Sequence, residues 1–569
     1  MLFALVFLIK CYSKTVKKVA FISVFNKQGV DKFAKDLAGL GWEIISSSGT
    51  AKFLKENGVS CTDLAGLVGE PILGHRVVSL SREFYAMLLS RPENEEDMKE
   101  LAKLKLPFIS LVCCDLYPLA EEIAKKDATL ESVIEKTDIG GPTMLRAAAK
   151  GGRIVVCDID DREKVVKWLR DGGKDAEIFK RKLAAKAEYT VAKYCMASAE
   201  YLSDGIYKSI SGERLGESCY GENAYQAPSF YYKTGESPSA IDLRARPFAP
   251  DKFKLLTETP LSYNNFCDRD KVLQTITHIF AGFELNFNKS PSYIAIAVKH
   301  GNACGVGISK EPIDAVKKMI EGDVRAIHGG SIFINFKIDE EMAEMLVHYK
   351  MKPENRRLLD TITAPEFTSQ ALEILARKKG KCRIVINPNL AHISADSLDR
   401  KERVRYIRDG FLTQPNYTFV PNIKDAVIEG DKNIIKNEQI IKDLVLAWAI
   451  GSTSNSNTIT IVRNGKLLGN GVGQQDRVGA AKLAVQRADD AASALDEKNT
   501  VADLSGAVAY SDSFFPFPDG PKVLTDRGIK IIFATSGSVN DASVIESCKQ
   551  QGATLVMFPD KVARGFAWH

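Results

Sequence analysis

The sequence predicts an α/β protein with an N-terminal parallel-sheet domain followed by a larger α/β region. The chain has 569 residues, which is too long for one ordinary domain. Between residue 17 and about residue 170, short apolar runs alternate with amphipathic helical stretches, a pattern typical of a parallel sheet. Apolar residues make up 45% and charged residues 26% of the chain, as in globular proteins with a substantial core.

The N-terminal domain is predicted to span residues 17–202. Its strands are expected at Val19–Val24, Glu43–Ser46, Phe108–Cys113 and Ile154–Cys157. Its helices are expected at Val30–Leu40, Ala51–Asn57, Asn94–Leu104 and Thr129–Ile134, and a long helical stretch at Arg162–Tyr201 closes the domain. Residues 203–250 are rich in Gly, Ser, Pro and Tyr and are interpreted as a linker and entry loop.

The C-terminal region, residues 251–569, is predicted to hold two non-identical α/β lobes. Its strands are expected at Ile294–Val298, Ser331–Asn335, Ile384–Ile386, Thr458–Val462, Gly506–Tyr510, Ile529–Ala534 and Ala553–Met557. Helices are expected between them, as at Lys436–Ala449 and Ala480–Leu495.

Charge and cysteine usage narrow the function classes. The net charge of +5 is mild and no polybasic block is present, which argues against nucleic-acid binding. The eleven cysteines are scattered without metal-binding spacing, which indicates reduced thiols and a cytoplasmic protein. The apolar run of residues 1–9 is too short to span a bilayer, so residues 1–16 are interpreted as a dispensable extension or a misassigned start, with a signal-like segment as the alternative.

A small polar segment after the second strand suits an anion. Ser47, Gly49 and Thr50 lie where that strand meets a helix, so hydroxyls and backbone N–H groups face outward at a helix N-terminus. Ser23 and Lys27, at the end of the first strand, reach the same anion if the two strands are neighbours. A plain Ser/Thr helix cap is the alternative interpretation.

A second segment combines an acid with two cations. Asp138 precedes a Gly140-Gly141-Pro142 turn that leads into an alanine-rich helix carrying Arg146 and Lys150 at i and i+4. If these charges converge on the turn, they suit a phosphorylated polar substrate. A capped helix with solvated cations remains the alternative.

The most informative stretch is Lys299-His300, at the end of a buried apolar run. A lysine beside a histidine can hold an oxyanion while the imidazole moves protons. The glycine-rich residues that follow, 301–307, are expected to let the backbone approach a ligand closely. The alternative is a strand end without a chemical role.

A fourth segment, Tyr510–Gly520, carries three phenylalanines interleaved with prolines and two acids. It is interpreted as an aromatic slot for a flat heterocycle, with Asp519 hydrogen-bonding ring N–H groups. An aromatic corner of the core is the alternative. The segments 473–477 and 536–538 add polar turns after other strands.

Together these segments closely resemble the bifunctional 5-aminoimidazole-4-carboxamide ribonucleotide (AICAR) formyltransferase and inosine monophosphate (IMP) cyclohydrolase family. The resemblance covers residues 17–569. Its strongest matches are Asp138–Gly141 with Leu145–Lys150, Tyr220–Asn223, Leu261–Asn265, Lys299-His300, Gly473–Gln475 and Ser511–Asp519.

The resemblance implies a methylglyoxal-synthase-like N-terminal domain and two cytidine-deaminase-like lobes. It also implies a homodimer with transferase sites shared across the interface. The implied reactions are formyl transfer from 10-formyltetrahydrofolate, as co-substrate, to AICAR, and closure of the product FAICAR to IMP. A structural potassium ion is implied, with no catalytic metal, and the expected partners are small molecules rather than nucleic acid or membrane.

The same resemblance implies roles for individual residues. In formyl transfer, His300 moves the proton, Lys299 stabilises negative charge and Asn457 holds the reacting groups. The ribonucleotide ligands are Tyr220, Gly329, Asp360, Arg477, Phe514 and Arg564, and the residues facing the folate are Phe517, Asp519 and Ser538. The cyclohydrolase site has Ser23, Lys27, Ser47, Gly49 and Thr50 at the phosphate, with Tyr117, Asp138 and Lys150.

Two departures from the family pattern affect binding groups. Val78 stands where the family carries an active-site lysine, and Arg76 or Arg82 is the candidate replacement. Cys219 stands where the family has a phosphate-contacting arginine, and His328 and Ala326 stand where Phe and Ser are usual. These changes predict a weakened cyclohydrolase and a higher KM for the ribonucleotide. A nucleotide-sensing protein that retains the folds with degraded catalysis is the alternative function, and a regulatory phosphate-binding N-terminal domain is another.

Overall fold

A computed structural model describes residues 17–74, 76–234, 247–496 and 500–567. The predicted extension at residues 1–16 lies outside these residues. The chain divides into two compact units, the first ending at Gly212 and the second holding residues 213–233 and the described residues from 247 onward.

The first unit is built on a five-stranded parallel sheet, as the alternation of strands and helices predicts. Its strands, in the order β3-β2-β1-β4-β5, are β1 (Val19–Ser23), β2 (Glu43–Ser46), β3 (Thr62–Asp63), β4 (Ile109–Cys114) and β5 (Ile154–Val156). Helices cover both faces, which is why β4 is apolar at every position except Ser110.

The helices of this unit follow in chain order. They are α1 (Val30–Gly39), α2 (Ser48–Glu56), α3 (Ala65–Val68), α4 (Arg82–Leu89), α5 (Glu95–Lys103), α6 (Leu119–Ile123), α7 (Leu130–Glu135), α8 (Gly140–Lys150), α9 (Ile159–Arg170) and α10 (Ala176–Leu202). The single helical stretch predicted at residues 162–201 is two helices, because Gly172 and Gly173 adopt φ values of 87° and 66° that end α9.

The second unit contains a mixed twelve-stranded sheet in the order β16-β21-β20-β19-β17-β18-β10-β9-β11-β12-β13-β8. Its strands are β8 (Lys254–Leu255), β9 (Tyr293–Lys299), β10 (Asn302–Ser309), β11 (Ser331–Ile334), β12 (Thr361–Ala364), β13 (Arg383–Ile386), β16 (Val427–Glu429), β17 (Ile459–Arg463), β18 (Lys466–Gly471), β19 (Val508–Ser511), β20 (Ile531–Ser536) and β21 (Thr554–Pro559). Its helices are α11 (Tyr263–Phe287), α12 (Pro312–Gly322), α13 (Glu340–His348), α14 (Ser369–Leu375), α15 (Glu438–Gly451), α16 (Arg477–Leu495), α17 (Asp519–Thr525), α18 (Asp541–Gln550) and α19 (Asp560–Ala563).

The two predicted lobes are halves of this one sheet, and they repeat the same order of elements. Each half starts with a buried helix, α11 or α15, that leads into an antiparallel hairpin, β9–β10 or β17–β18. Three more strands follow, each preceded by a helix, and the halves join where β10 pairs with β18.

Glycines set the distance between each hairpin and the helix behind it. A Cβ on Gly305 or Gly307 of β10 would lie 2.2 or 2.1 Å from a carbonyl oxygen of α12. Gly469 and Gly471 of β18 stand equally close, at 2.1 Å, to carbonyl oxygens of α16. Residues 301–307, expected to bring the backbone close to a ligand, are therefore mostly a strand whose glycines permit close helix packing.

Both hairpins close with the same two-residue turn. His300 and Gly301 have φ values of 53° and 73°, and Asn464 and Gly465 have 51° and 71°, as in type I′ turns. An aspartate on the preceding helix accepts the glycine N–H in each case, Asp268 from Gly301 at 2.7 Å and Asp443 from Gly465 at 2.8 Å.

Two further ribbons have two strands each. β6 (Gly212–Ser218) pairs with β7 (Ser229–Thr234) inside the stretch interpreted as a linker, and β14 (Arg403–Ile407) pairs with β15 (Gly410–Gln414). Within the described ranges, no helix combines the length and apolarity that crossing a membrane requires.

Candidate functional site

In the first unit, the ends of β1 and β2 bring together the residues predicted to bind an anion. The two strands are parallel neighbours, so their carboxyl ends meet at one edge. Ser23 Oγ and Ser47 Oγ are 2.8 Å apart, and Lys27 Nζ donates to Thr50 Oγ1 at 3.1 Å. Ser23 and Lys27 therefore adjoin the Ser47–Thr50 segment, as binding of one anion by both groups requires.

Helix α2 begins in this segment without a side-chain cap from Ser47, whose hydroxyl is directed to Ser23 instead. Thr50 is buried, and its hydroxyl also accepts from the backbone N–H of Val24 at 3.2 Å. Burial lowers the pKa of the Lys27 amine, and the nearby Asp115 carboxylate opposes that shift. The helix start and the lysine therefore form one polar corner.

Asp138 lies against the first turn of α8. Its Oδ1 accepts the N–H of Gly141 at 2.9 Å, and its own N–H donates to Tyr194 Oη at 2.6 Å. Burial raises the pKa of Asp138, and backbone N–H groups, Gly141 first, oppose the shift. Burial also raises the pKa of the Tyr117 phenol, with Asp138 adding to the effect.

Helix α8 separates Lys150 from Asp138. The helix has eleven residues, so Lys150 at its last position lies about 16 Å from its start. Arg146 pairs with Glu188 at 3.1 Å. The expected convergence of Arg146 and Lys150 on the Asp138 turn is thus wrong. These residues follow Asp138 by eight and twelve positions, so the helix axis carries them away from that turn.

The stretch around Val78 adjoins the same helix start. Ser79 is buried, and its Oγ is 3.2 Å from where a Cβ on Gly140 would stand. Both arginines considered as replacements for a lysine at position 78 pair with carboxylates, Arg76 with Glu135 and Arg82 with Glu83.

In the second unit, the predicted transferase residues line one edge of the large sheet. Strand direction explains this, because the start of a strand lies beside the start of a parallel neighbour and beside the end of an antiparallel neighbour. The segments at this edge are Lys299 at the end of β9, residues 328–330 before β11, Asp360 before β12, Asn457 before β17, residues 472–474 after β18, Asp512 after β19 and Ser536 at the end of β20.

The His300 hairpin and the Asn457 loop are joined directly. Asn302 Oδ1 accepts the backbone N–H of Asn455 at 2.9 Å. Asn457 exchanges backbone hydrogen bonds with Gln474, and its side-chain Nδ2 donates to Gln474 O at 2.9 Å. The structure therefore brings together three segments that are far apart in the sequence.

Lys299 and His300 differ in their surroundings. Lys299 Nζ donates to the carbonyl oxygen of His328 at 2.9 Å, next to Gly329, whose φ is 75°. His300 is exposed at the tip of the turn. The amine is thus oriented while the imidazole is accessible.

Asp360 is held by two donors. Asn265 Nδ2 and Arg383 Nη1 each reach a carboxylate oxygen at 2.6 Å. The same guanidinium places Nη2 3.9 Å from Cys219 Sγ. Tyr220 follows Cys219 directly, and a cleft of about 460 Å³ lies beside it, lined by Gly221, Glu222, Gln226, Ala227, Pro228, Ser229 and Tyr263.

Arg477 and Arg564 both approach the aromatic ring of Phe566. Arg477 is 8% exposed and forms an ion pair with the fully buried Asp512. Arg564 pairs with Asp560, and both guanidinium carbons lie over the Phe566 ring, at 5.5 Å for Arg477 and 5.0 Å for Arg564.

The phenylalanine segment is partly core and partly surface. Phe515 is buried against Gly520, whereas Phe514 is half-buried and Phe517 is 58% exposed. The slot of three phenylalanines expected from the sequence is therefore reduced to two rings at the surface.

The acid and the serine expected at the folate belong to the same surface region. Asp519 is exposed at the first position of α17. The turn containing Ser538 is tied to the phenylalanine segment, because Asn540 Nδ2 donates to Pro516 O at 2.8 Å.

Several supporting residues escaped the sequence reasoning. Asp115 accepts the backbone N–H of Asn26 at 3.0 Å, and Asp268, Lys271 and Asn302 hold the His300 hairpin. An acid directly after a buried strand was a signal for Asp115. Asp268 and Lys271 lie inside a helix about 30 residues upstream of the hairpin, so no local pattern in the sequence marks them.

Within the described ranges, no group of three or more His, Cys, Asp or Glu side chains is placed to hold a metal ion. A wider groove of about 940 Å³ lies along α13 and is lined largely by acids and apolar groups. In the chain it lies between residues 328–330 and Asp360, but its acids do not suit an anionic ligand.

Comparisons with known proteins identify the family to which the chain is similar. A family model described as AICARFT/IMPCHase bienzyme matches residues 148–487, and one described as MGS-like domain matches residues 29–143. The bifunctional purine biosynthesis protein PurH of Anoxybacillus flavithermus (strain DSM 21510 / WK1) is 35% identical over 558 residues, which cover 95% of this chain and 98% of the relative. The protein of the same name from Halalkalibacterium halodurans is 33% identical over 550 residues, with 95% and 98% of the two chains covered.

Proposed function

This chain belongs to the AICARFT/IMPCHase bienzyme family, and we propose, from that membership and from the geometry of both sites, which residues carry out each of its two reactions. The protein is a bifunctional enzyme of purine biosynthesis. It transfers a formyl group to AICAR to give FAICAR, and it closes FAICAR to IMP. The formyl donor is 10-formyltetrahydrofolate. The observation that carries the assignment of residues is the link between the His300 hairpin and the Asn457 loop at one sheet edge.

In the transferase reaction, the 5-amino nitrogen of AICAR forms a bond to the formyl carbon, and the bond from that carbon to the folate nitrogen breaks. We propose that His300 accepts the proton that leaves the amine and passes it to the folate nitrogen. Lys299, held by the His328 carbonyl, stabilises the negative charge that develops on the formyl oxygen. Asn457, hydrogen-bonded to Gln474, holds the reacting groups in place.

The ribonucleotide is proposed to lie between the two halves of the second unit's sheet edge. Its ligands are Tyr220, Gly329, Asp360, Arg477, Phe514 and Arg564. The ion pairs of Arg477 and Arg564 support this, because they fix two guanidinium groups in orientations suited to an anion. Phe517, Asp519 and Ser538, joined through the Asn540–Pro516 contact, are proposed to face the folate.

The cyclohydrolase reaction is assigned to the first unit. The substrate phosphate is proposed to bind Ser23, Lys27, Ser47, Gly49 and Thr50, at the start of α2. Tyr117 and Asp138 handle protons as the amide nitrogen attacks the formyl carbon and water leaves. Lys150 belongs to the same assignment through the family match, although α8 places it about 16 Å from the Asp138 turn.

We also propose that ring closure is slowed in this chain. Val78 supplies no cation, and the carboxylate partners of Arg76 and Arg82 support the view that neither guanidinium replaces the lysine. The transferase centre, in contrast, keeps both Lys299 and His300. FAICAR is therefore expected to accumulate before IMP appears.

A structural potassium ion is a further part of the proposal. Within the described residues, Ser452 Oγ and Tyr510 Oη are buried beside Gly565 and face the Tyr417 phenol, without a hydrogen bond of good geometry. Such neutral oxygens suit a hard monovalent cation, so these two residues would help to hold it. The ion would brace the C-terminal segment and would take no part in formyl transfer.

We propose a homodimer with transferase sites shared between subunits, working in the cytoplasm. The β14–β15 ribbon supports the dimer, because it exposes apolar side chains that a partner would cover, namely Val404, Tyr406, Ile407 and Leu412. Scattered thiols without metal-binding spacing support the reducing compartment. Light scattering on the purified protein tests the dimer, and a monomeric mass at micromolar concentration would contradict it.

The assignment is tested by quantifying FAICAR and IMP separately after AICAR and 10-formyltetrahydrofolate are supplied. We expect wild type to form FAICAR and His300→Ala to lose roughly 100-fold or more of that activity. Asn464→Ala is the matched control, because Asn464 occupies the same position of the second type I′ turn. Equal losses in both variants would show that the turn, and not the imidazole, matters.

A further inference from the structure

Lys271 lies beneath the His300 hairpin, on the helix that also carries Asp268. It stands one turn after Asp268 on α11, and its methylene stem packs on Gly301, with Cε 3.3 Å from where a Cβ on that glycine would be. Its Nζ donates to Asn455 Oδ1 at 2.9 Å. One side chain thus touches both the catalytic turn and the loop that leads to Asn457.

The internal repeat shows that the fold does not need a lysine here. Asp268 and Asp443 are equivalent, since each accepts the N–H of its hairpin's glycine from the preceding helix. Three residues after Asp443 stands Leu446, which is 0% exposed and packs in the core. An apolar residue therefore satisfies helix packing at this position, whereas an amine placed there loses solvation.

The charged surroundings of Lys271 are mixed. Cys267, Asp268 and Asp270 face it from its own helix, and Arg403 faces it from β14. The hairpin adds His300, directly before the glycine on which the stem packs. Burial lowers the pKa of Lys271 to about 7, the acids opposing and Arg403 adding to the shift. Its charge is thus expected to change within the working pH range of an enzyme.

We propose that Lys271 is a positioning residue for formyl transfer, whose ammonium holds the Asn455–Asn457 loop against the His300 hairpin. This inference rests on the proposed transferase function. The charged amine makes a stronger hydrogen bond to Asn455 Oδ1 than the neutral amine does. Loss of the proton therefore loosens Asn457 relative to His300, while Lys299 and the substrate ligands keep their own contacts.

The test compares wild type with Lys271→Met and Lys271→Arg in the formyl-transfer assay between pH 6 and pH 9. Met keeps the apolar stem without a donor, and Arg keeps a donor that stays charged. At pH 6 we expect kcat of Lys271→Met to be about tenfold below wild type, with KM for both substrates nearly unchanged. At pH 9 the difference should narrow, because the wild-type amine is then neutral. Lys271→Arg should retain its kcat at pH 9.

Lys318→Met is the control, because Lys318 is a partly buried lysine bonded to Ile308 O, away from both loops. It should match wild type at every pH. A kcat difference between wild type and Lys271→Met that is absent, or that stays constant from pH 6 to pH 9, would overturn the proposal. Failure of wild type to form FAICAR would instead overturn the transferase function itself, so the two outcomes are distinguishable.

Discussion

Asn302 and Asn455 join two loops that are 153 residues apart in the chain, through a 2.9 Å hydrogen bond from the backbone N–H of Asn455 to Asn302 Oδ1. Asn302 also donates from Nδ2 to the carbonyl oxygen of His300 at 3.1 Å. One amide side chain therefore fixes the turn that carries the proposed proton carrier and the loop that carries Asn457.

Replacing Asn302 should lower kcat for formyl transfer more than it changes KM. Asn302→Ala removes the acceptor for the Asn455 N–H, and we expect kcat to fall about tenfold. Asn302→Asp keeps the acceptor oxygen and should retain most of the activity. Steady-state kinetics on both variants measure this, and an Ala variant with the kcat of the Asp variant would contradict the positioning role.

Val78→Lys should speed ring closure. An amine at this position restores a cation beside the start of α8, where Ser79 adjoins Gly140. We expect IMP formation from supplied FAICAR to rise by roughly tenfold to 100-fold. Val77→Lys is the control, since it adds the same charge one residue earlier and should change little. Rapid IMP formation by wild type would argue that its cyclohydrolase is not impaired.

Cys219→Arg should lower the KM for AICAR by about tenfold, because a charge-assisted contact to the phosphate is gained. Arg383 already lies 3.9 Å from the Cys219 thiol and is bonded to Asp360. Cys219→Ala, which adds no charge, should leave KM near the wild-type value. An unchanged or higher KM in the arginine variant would indicate that position 219 does not face the phosphate.

The Asp512–Arg477 pair should contribute far more to stability than an exposed pair does. Asp512 is 0% exposed, so Asp512→Asn leaves the buried Arg477 charge without its partner, at a cost of about 3 kcal/mol. Asp503→Asn breaks the exposed pair with Arg463 and should lower the free energy of unfolding far less. Urea unfolding of both variants compares them, and similar midpoints would contradict this difference.

Lys271 should make stability depend on pH. Its folded-state pKa, lowered to about 7 by burial, is below the unfolded value of about 10.4, so the unfolded chain binds more protons between these two pH values. The free energy of unfolding should accordingly rise as pH increases from 7 to 10. Lys271→Met should remove this component of the slope. An identical slope in wild type and variant, measured by urea unfolding, would show that the amine is not desolvated.

The sequence predicted most strands well because buried strands are short apolar runs. Val19–Ser23 and Ile531–Ser536 lie within two residues of their expected bounds. Strand β10 escaped prediction because Gly305 and Gly307 weaken the strand pattern, and the reason for those glycines is the backbone of α12. The ribbon in residues 212–234 was missed because turn residues dominate its composition.

The sequence by itself determined the fold class, the family and the chemical groups, because these depend on local periodicity and on residue types in order. Lys299, His300 and Asp138 were recognised from their neighbours alone. Only the tertiary structure decided which groups meet. Parallel pairing of β1 and β2 joins Ser23 to Ser47, Asn302 reaches Asn455, and α8 carries Lys150 away from Asp138. Lys271 acquired a role in the same way, because contact between a helix and a hairpin depends on packing rather than on any pattern along the chain.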